Sequence, residues 1–541
     1  MQSGGREHRE ETLPSIATES VHRQPFIHPF PVSESLFTIS AMQTRIVPLR
    51  FTRLTQALLG LTIVLSFFTY FFGYWNPPAL FWDENYHIAS AQKYLNGIFF
   101  MEPHPPLGKL LIAAGEKLLH PNEANNQFID TSYGRDLPTG FSFAGYRFFS
   151  ALMAWWTAPI LFLILLMLLK REWYAFFFSF PYIFDNALIV HNRGAMLEGP
   201  LMFFVALTTL AFMLVLKDRD KRHAFIGWSV LFGAAFAACL TTKLIGLIVI
   251  LFALPVVYAL FPDWKKILQF ACVSGMSALF VFCFVWYLHF TIASTVNPKL
   301  ETYTATPAYF EILKNGHTKN ILNFPLMLRD NIAFVSHYNN GVPKLNLCKA
   351  DENGSPAFFW PVGARSINYR WNTPDGQNYQ YLYLQANPAG WWFALAGVIL
   401  AIGLFASHFL FAPKERFHNF FFLLVFLGVY CSYMIAISRI SRVMYLYHYF
   451  TPLFISFIVL ALVWNEIERI GPWKLTETMK QKSAIIFGGI VLVSFLWYSP
   501  LTYYGLLSKN QFQLRNIFSL WDLKCVGCEG RQSMYVPGSS Q

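Results

Sequence analysis

YRFFSALMAWWTAPILFLILLMLL, residues 146–169, carries a single charge, Arg147 near its start. About 20 consecutive apolar residues are what a helix needs to cross the hydrocarbon core of a bilayer, so this stretch reads as a membrane span. Similar runs lie at about 54–74, 173–190, 199–216, 224–241, 244–261, 267–290, 389–411, 418–437, 443–464 and 484–504, which makes eleven. The composition agrees: the 541 residues are 55% hydrophobic, 18% aromatic and 13% charged, against about 25% charged in soluble chains. The expectation is an all-α polytopic membrane protein, one bundle rather than several soluble domains.

The formal charge is +11, from 41 Lys and Arg against 30 Asp and Glu. A nucleic-acid partner is not the reading, because the basic residues form no motif or groove pattern and sit instead between apolar runs. With the N-terminus inside, Lys170–Arg171, Lys217–His223, Asp263–Lys266, Pro413–Arg416 and Asn465–Lys482 all fall on the cytoplasmic side, as the positive-inside rule requires. The chain then divides into a cytoplasmic tail 1–53 (disordered to 41, with Met42 a natural start), a membrane region 54–290 with an outer loop 75–145, an outer loop 291–388, a membrane region 389–504 and an outer tail 505–541. Function is expected in the two large outer loops. Of seven cysteines, Cys239, Cys272, Cys283 and Cys431 lie in apolar runs and read as inert. Cys525 and Cys528 form a C-x-x-C; without a second pair, a local disulfide outside the cytoplasm fits better than zinc.

Ionisable residues at the outer side are the candidates for chemistry. Asp83 and Glu84 follow the first span closely, where partial desolvation would raise a carboxyl pKa and suit it to take a proton from a hydroxyl; an acid pair at a helix N-terminus has the same pattern. The Pro- and Gly-rich turn 97–109 can hold His104 and Lys109 at a helix start, as can a plain turn with a snorkelling lysine. Arg147, Arg193, Glu198, Lys243, Arg439 and Arg442 lie at span ends on the same side. Each alone can be an interfacial anchor, but several cations opposite the positive-inside face suit an anionic lipid headgroup.

Trp82-Asp83-Glu84, Lys93-Tyr94-Leu95-Asn96-Gly97 with Phe99-Phe100, and His104-Pro105-Pro106-Leu107-Gly108-Lys109 follow in an order and spacing that resembles the protein O-mannosyltransferase family, of the GT-C class. Gly145-Tyr146-Arg147, Asp185-Asn186, Thr242-Lys243, Asn387-Pro388 with Trp391-Trp392, and Tyr445-Leu446-Tyr447-His448-Tyr449 resemble its later motifs, over about residues 54–505. Two positions depart: Glu198 stands where Asp is expected, and Thr451 where a small apolar residue is common. The loop 291–388 leaves no evident room for a β-trefoil MIR domain, so the resemblance is to the bacterial branch.

The resemblance implies a GT-C bundle that moves mannose from a polyprenyl phosphate carrier to Ser or Thr of a secreted protein, with inversion, at the non-cytoplasmic face of the cell membrane. It implies no cofactor or metal beyond the lipid-linked donor. It makes Asp83 the general base and Glu84 a residue that positions the acceptor. Arg147, Lys243 and Arg442 become phosphate ligands, and His104, Lys109, Arg193, Glu198 and His448 further substrate-binding residues. An aminoarabinose transferase acting on a lipid or glycan is the alternative enzyme. A transporter would show paired halves with internal symmetry, and none is seen.

Overall fold

The computed structural model describes residues 51–123, 137–138, 140–297, 305–349, 352–411, 417–470 and 472–525. The readings placed on the N-terminal tail to residue 50, on the basic loop at 413–416 and on Cys528 lie outside the described residues. Cys525 is disulfide-bonded.

Among the described residues nine helices are long and apolar enough to cross a membrane. Two of the eleven expected spans differ from the rest. The run at 173–190 is split into Glu172–Phe178, Phe180–Ile183 and Asn186–Asn192, bent by 61°, and makes a tenth span if counted as one. Pro181 cannot continue the hydrogen-bond ladder, and Asp185 starts a new helix by accepting from the Leu188 amide at 2.8 Å. The run at 244–261 is a 3-10 segment, Leu244–Phe252, continued by a short α-helix, Ala253–Leu260, and together they fall below the length of the nine.

Burial follows apolar periodicity. Leu446–Glu466 is apolar on all sides and buried throughout, so it occupies the middle of the bundle. Trp264–Ile292 is mostly exposed, with Met276, Leu279 and Phe280 facing outward as lipid-facing side chains do. The chain is a multi-pass membrane protein.

Small residues set the closest helix contacts, because helices in lipid associate by packing rather than by the hydrophobic effect. A side chain at Gly233 would begin 2.0 Å from the Ser274 carbonyl oxygen, and one at Gly199 would begin 2.4 Å from that of Ser150. Gly233→Leu is therefore expected to push Arg222–Thr242 away from Trp264–Ile292 and to cost roughly 1–3 kcal/mol. Thermal unfolding in detergent checks this; an unchanged Tm would mean that the close approach is not needed.

Two helices, Glu84–Leu95 and Leu107–Leu119, occupy the first long loop, 75–145, and Pro307–Lys314 and Phe324–Gly341 the second, 291–388. The second loop also adds a feature the all-α expectation lacked. Strands Ile367–Asn372 and Asn378–Leu384 pair antiparallel, with a bulge between Asn368 and Arg370, and Leu506–Ser508 joins as a third strand. This small sheet reaches the first loop through Arg370, which donates to the Leu80 carbonyl at 2.9 Å. Asn387 and Trp391 brace the bent segment from the other side: Asn387 donates to Phe184 and Val491 carbonyls, and the Trp391 indole to Asp185 at 2.6 Å.

Candidate active site

Trp82 adopts a left-handed backbone conformation, φ 51°, uncommon for a residue with a side chain and a mark of a position held by its surroundings. Its ring stacks on Tyr369 of the hairpin 367–384 at 5.0 Å between centroids and meets Tyr445 edge-on at 5.3 Å. The turn delivers Asp83 to the N-cap position before Glu84–Leu95, yet the Asp83 side chain does not cap that helix. Among the described residues this half-buried carboxylate makes no hydrogen bond or ion pair. Burial pushes its pKa up to about 6, opposed by Lys243 and reinforced by Glu198.

Glu84 and Arg147 behave differently from the roles expected of them. Both are fully buried. Arg147 grips Glu84 with two parallel bonds, Nε to Oε1 at 2.7 Å and Nη2 to Oε2 at 2.8 Å, the fork geometry in which Arg is strongest. Its remaining donors go to the carbonyls of Trp75, Pro77 and Ala79. Both Glu84 oxygens also accept backbone amides, from Phe81 and Ala195. Arg147 has no donor left for a phosphate and Glu84 no face for an acceptor. The pair is a buried clasp that fixes the loop carrying Asp83.

Lys243 ends Arg222–Thr242 and pairs closely with Glu198, whose other oxygen takes a hydrogen bond from His191 Nε2 at 2.7 Å. His191 Nδ1 meets the Tyr369 hydroxyl at 2.6 Å, so the hairpin, His191, Glu198 and Lys243 form one chain of contacts. Lys109 is spent on Glu102, which also accepts from Ser90. The His104 pKa is held well below its usual value by burial and by Lys243 and Lys109, so the ring is neutral at pH 7.

A cavity of about 810 Å³ opens beside this network. Its polar lining includes His104, Lys243, Arg439, Arg442 and His448, and its apolar lining comes from Leu244, Ile245, Leu247, Ile248, Ile250 and Leu251 together with Ala436, Ile437 and Ile440. Leu244, Leu247, Ile250 and Ile440 are themselves exposed, so the apolar wall continues onto the outer surface of the bundle. Among charges, Lys243 acts most on Asp83; Lys243 lines the cavity, whereas Asp83 is not one of its lining residues. The cavity brings together His104, Lys243, Arg442 and His448. It does not include Lys109 or Glu198, which orient their neighbours, nor Arg193, which lines a separate cavity. Sequence reasoning passed over Glu102, His191 and Tyr369. The i, i+7 relation of His191 to Glu198 across the break between helices Asn186–Asn192 and Glu198–Lys217 gave no periodic signal, and Tyr369 lies far off in the sequence. Among the described residues no three His, Cys, Asp or Glu side chains gather as a metal-ligand set.

Residues 60–297 match the family described as Dolichyl-phosphate-mannose-protein mannosyltransferase, and residues 326–521 the C-terminal four TMM region of protein-O-mannosyltransferase. Protein O-mannosyl-transferase 2 of Danio rerio is 31% identical over 206 residues, 38% of this chain and 27% of the relative. Dolichyl-phosphate-mannose--protein mannosyltransferase 1 of Saccharomyces cerevisiae is 27% identical over 190 residues, 35% of this chain and 22% of the relative. The matched stretch thus spans about a quarter of the length of these curated relatives. The fold is that of the S. cerevisiae protein O-mannosyltransferase Pmt1-Pmt2 complex bound to the sugar donor: the TM-score is 0.74 at 15% identity, over 90% of this chain and 96% of that one. With two descriptions of one family accounting for residues 60–297 and 326–521, the chain belongs to the protein O-mannosyltransferase family.

Proposed function

We propose that this protein transfers mannose from a polyprenyl phosphate carrier to Ser or Thr hydroxyls of secreted proteins, inverting the anomeric carbon, at the non-cytoplasmic face of the cell membrane. The observation that carries the reading is Asp83, which has no partner among the described residues and lies in the field of Lys243, a cation that lines a cavity of both basic and apolar side chains. An apolar tail suits the exposed wall and a phosphate suits Lys243 and Arg442.

In the proposed step the acceptor oxygen attacks the anomeric carbon from the side opposite the phosphate. Its proton passes to Asp83 and the bond from carbon to phosphate oxygen breaks. The carrier phosphate leaves with its charge met by cations already in position, which is how a preorganised site lowers a barrier. Glu198 and His191 keep Lys243 in place, and His104 and His448 present ring edges to the sugar and phosphate. The step as proposed uses no cofactor.

Membranes containing the protein, given labelled polyprenyl phosphate mannose and a Ser/Thr-rich peptide, are expected to place label in the peptide. Label in lipid or glycan alone would overturn the acceptor assignment. The rate is expected to rise with pH through about 6, because the base works only when ionised and the Asp83 carboxyl titrates there. A rate that is flat from pH 5 to 8 would remove Asp83 from the step.

A further inference from the structure

Three of the buried cations described above face a carboxylate each: Arg147 has Glu84, Lys109 has Glu102 and Lys243 has Glu198. Arg193, 7% exposed, pairs with none among the described residues. Three of its five N–H groups go to the carbonyls of Thr69, Phe72 and Gly73 at 3.2, 2.9 and 2.5 Å, and its plane lies over the Tyr503 ring at 5.0 Å. Carbonyls at a helix end ease a nearby cation. They bring no full negative charge, and an uncompensated buried charge is costly.

Arg193 lines a cavity of about 390 Å³ at the ends of the first and last apolar helices, with Phe68, Phe72, Asn76, Thr502 and Tyr503. A side chain at Gly73 would begin 3.7 Å from both Arg193 Nη2 and Asn76 Nδ2, so a guanidinium and an amide stand together at the open face of this glycine. Phe68 and Phe72, 56% and 59% exposed, form an apolar lip, and Trp75 stands exposed beside them, as aromatic residues do at a membrane surface. We propose that this cavity binds the phosphate headgroup of an anionic phospholipid, apart from the cavity that holds Lys243 and Arg442. The lip favours a lipid over free phosphate, since acyl chains can lie along Phe68 and Phe72. The proposal does not depend on the mannosyl-transfer reading.

The test uses the full chain in nanodiscs of phosphatidylcholine with and without phosphatidylglycerol, read by thermal unfolding and by the relative binding of a spin-labelled phosphatidylglycerol. The wild type is expected to melt higher with phosphatidylglycerol present. Asn76→Asp places a carboxylate beside Arg193, so it is expected to melt as high without that lipid and to lose selectivity for it by about tenfold. Arg193→Gln is expected to lose the response where it folds; the Asp variant keeps the test alive where it does not. Arg442→Gln is expected to keep the response, and losing it would move the lipid to the other cavity. Equal melting of the wild type in both discs, or an Asn76→Asp protein that still responds fully, would overturn the proposal. So would inorganic phosphate reproducing the whole shift in phosphatidylcholine, which would make the site one for free phosphate.

Discussion

Asp83→Asn is expected to lose about 100-fold to 10,000-fold in transfer rate, the usual contribution of a positioned general base, and to leave a protein that is more stable at pH 7 than the parent. The second half follows from the direction of the shift. The Asp83 pKa is raised to about 6 from an ordinary value of 3.8, so the folded state holds the proton more tightly than the unfolded chain. The stability Asp83 contributes is therefore complete below pH 3.8 and is lost as pH rises through about 6. Asn cannot ionise and escapes that loss. Parent and variant should melt together near pH 4 and diverge above pH 6, with the variant higher. A helix-capping Asp would give the opposite, with Asn close to neutral at every pH and turnover unchanged. Near-wild-type turnover by Asp83→Asn would end the base assignment.

Arg147→Ala and Glu84→Gln are expected to fail at folding rather than at chemistry. Removing one partner of a buried, fully hydrogen-bonded pair leaves the other charge stranded and typically costs 3–5 kcal/mol, and Arg147→Ala also strips three carbonyls of their donors. Arg147→Lys keeps the charge but cannot serve a two-point carboxylate and three carbonyls at once, so it should recover little. The measurement is yield and Tm in detergent, followed by the donor KM of whatever protein survives. A normal Tm with a raised donor KM in Arg147→Ala would return Arg147 to the phosphate site and refute the clasp.

The contrast between Asp83 and its neighbour explains how far the sequence could be read. The spans were legible because bilayer thickness imposes a length and a composition, and the family motifs marked which loop matters. Burial partners were not legible. Asp83 and Glu84 are adjacent and chemically alike, yet the left-handed turn at Trp82 leaves one carboxylate without a partner and the helix buries the other against Arg147. Arg147, Arg193 and Lys243 likewise look equivalent at span ends. One is locked to a carboxylate and three carbonyls, one lines its own cavity, and one lines the large cavity while paired with Glu198. Tyr369 joins this network from a hairpin that no apolar pattern announces, since its strands are short and rich in Asn, Tyr and Gln. The 173–190 run fails as a straight span at Pro181 and Asp185.

The exposed apolar wall of the large cavity, at Leu244, Leu247 and Ile250, bears on how the kinetics of the proposed transfer should be measured. On the proposed reading a donor enters sideways from the bilayer, so the concentration that governs occupancy is its mole fraction among lipids, not its amount per litre. Adding inert lipid at fixed donor and fixed volume then lowers the rate as dilution would, although nothing has been diluted in the water. Apparent constants from different detergents or membranes become comparable only when expressed per unit of surface.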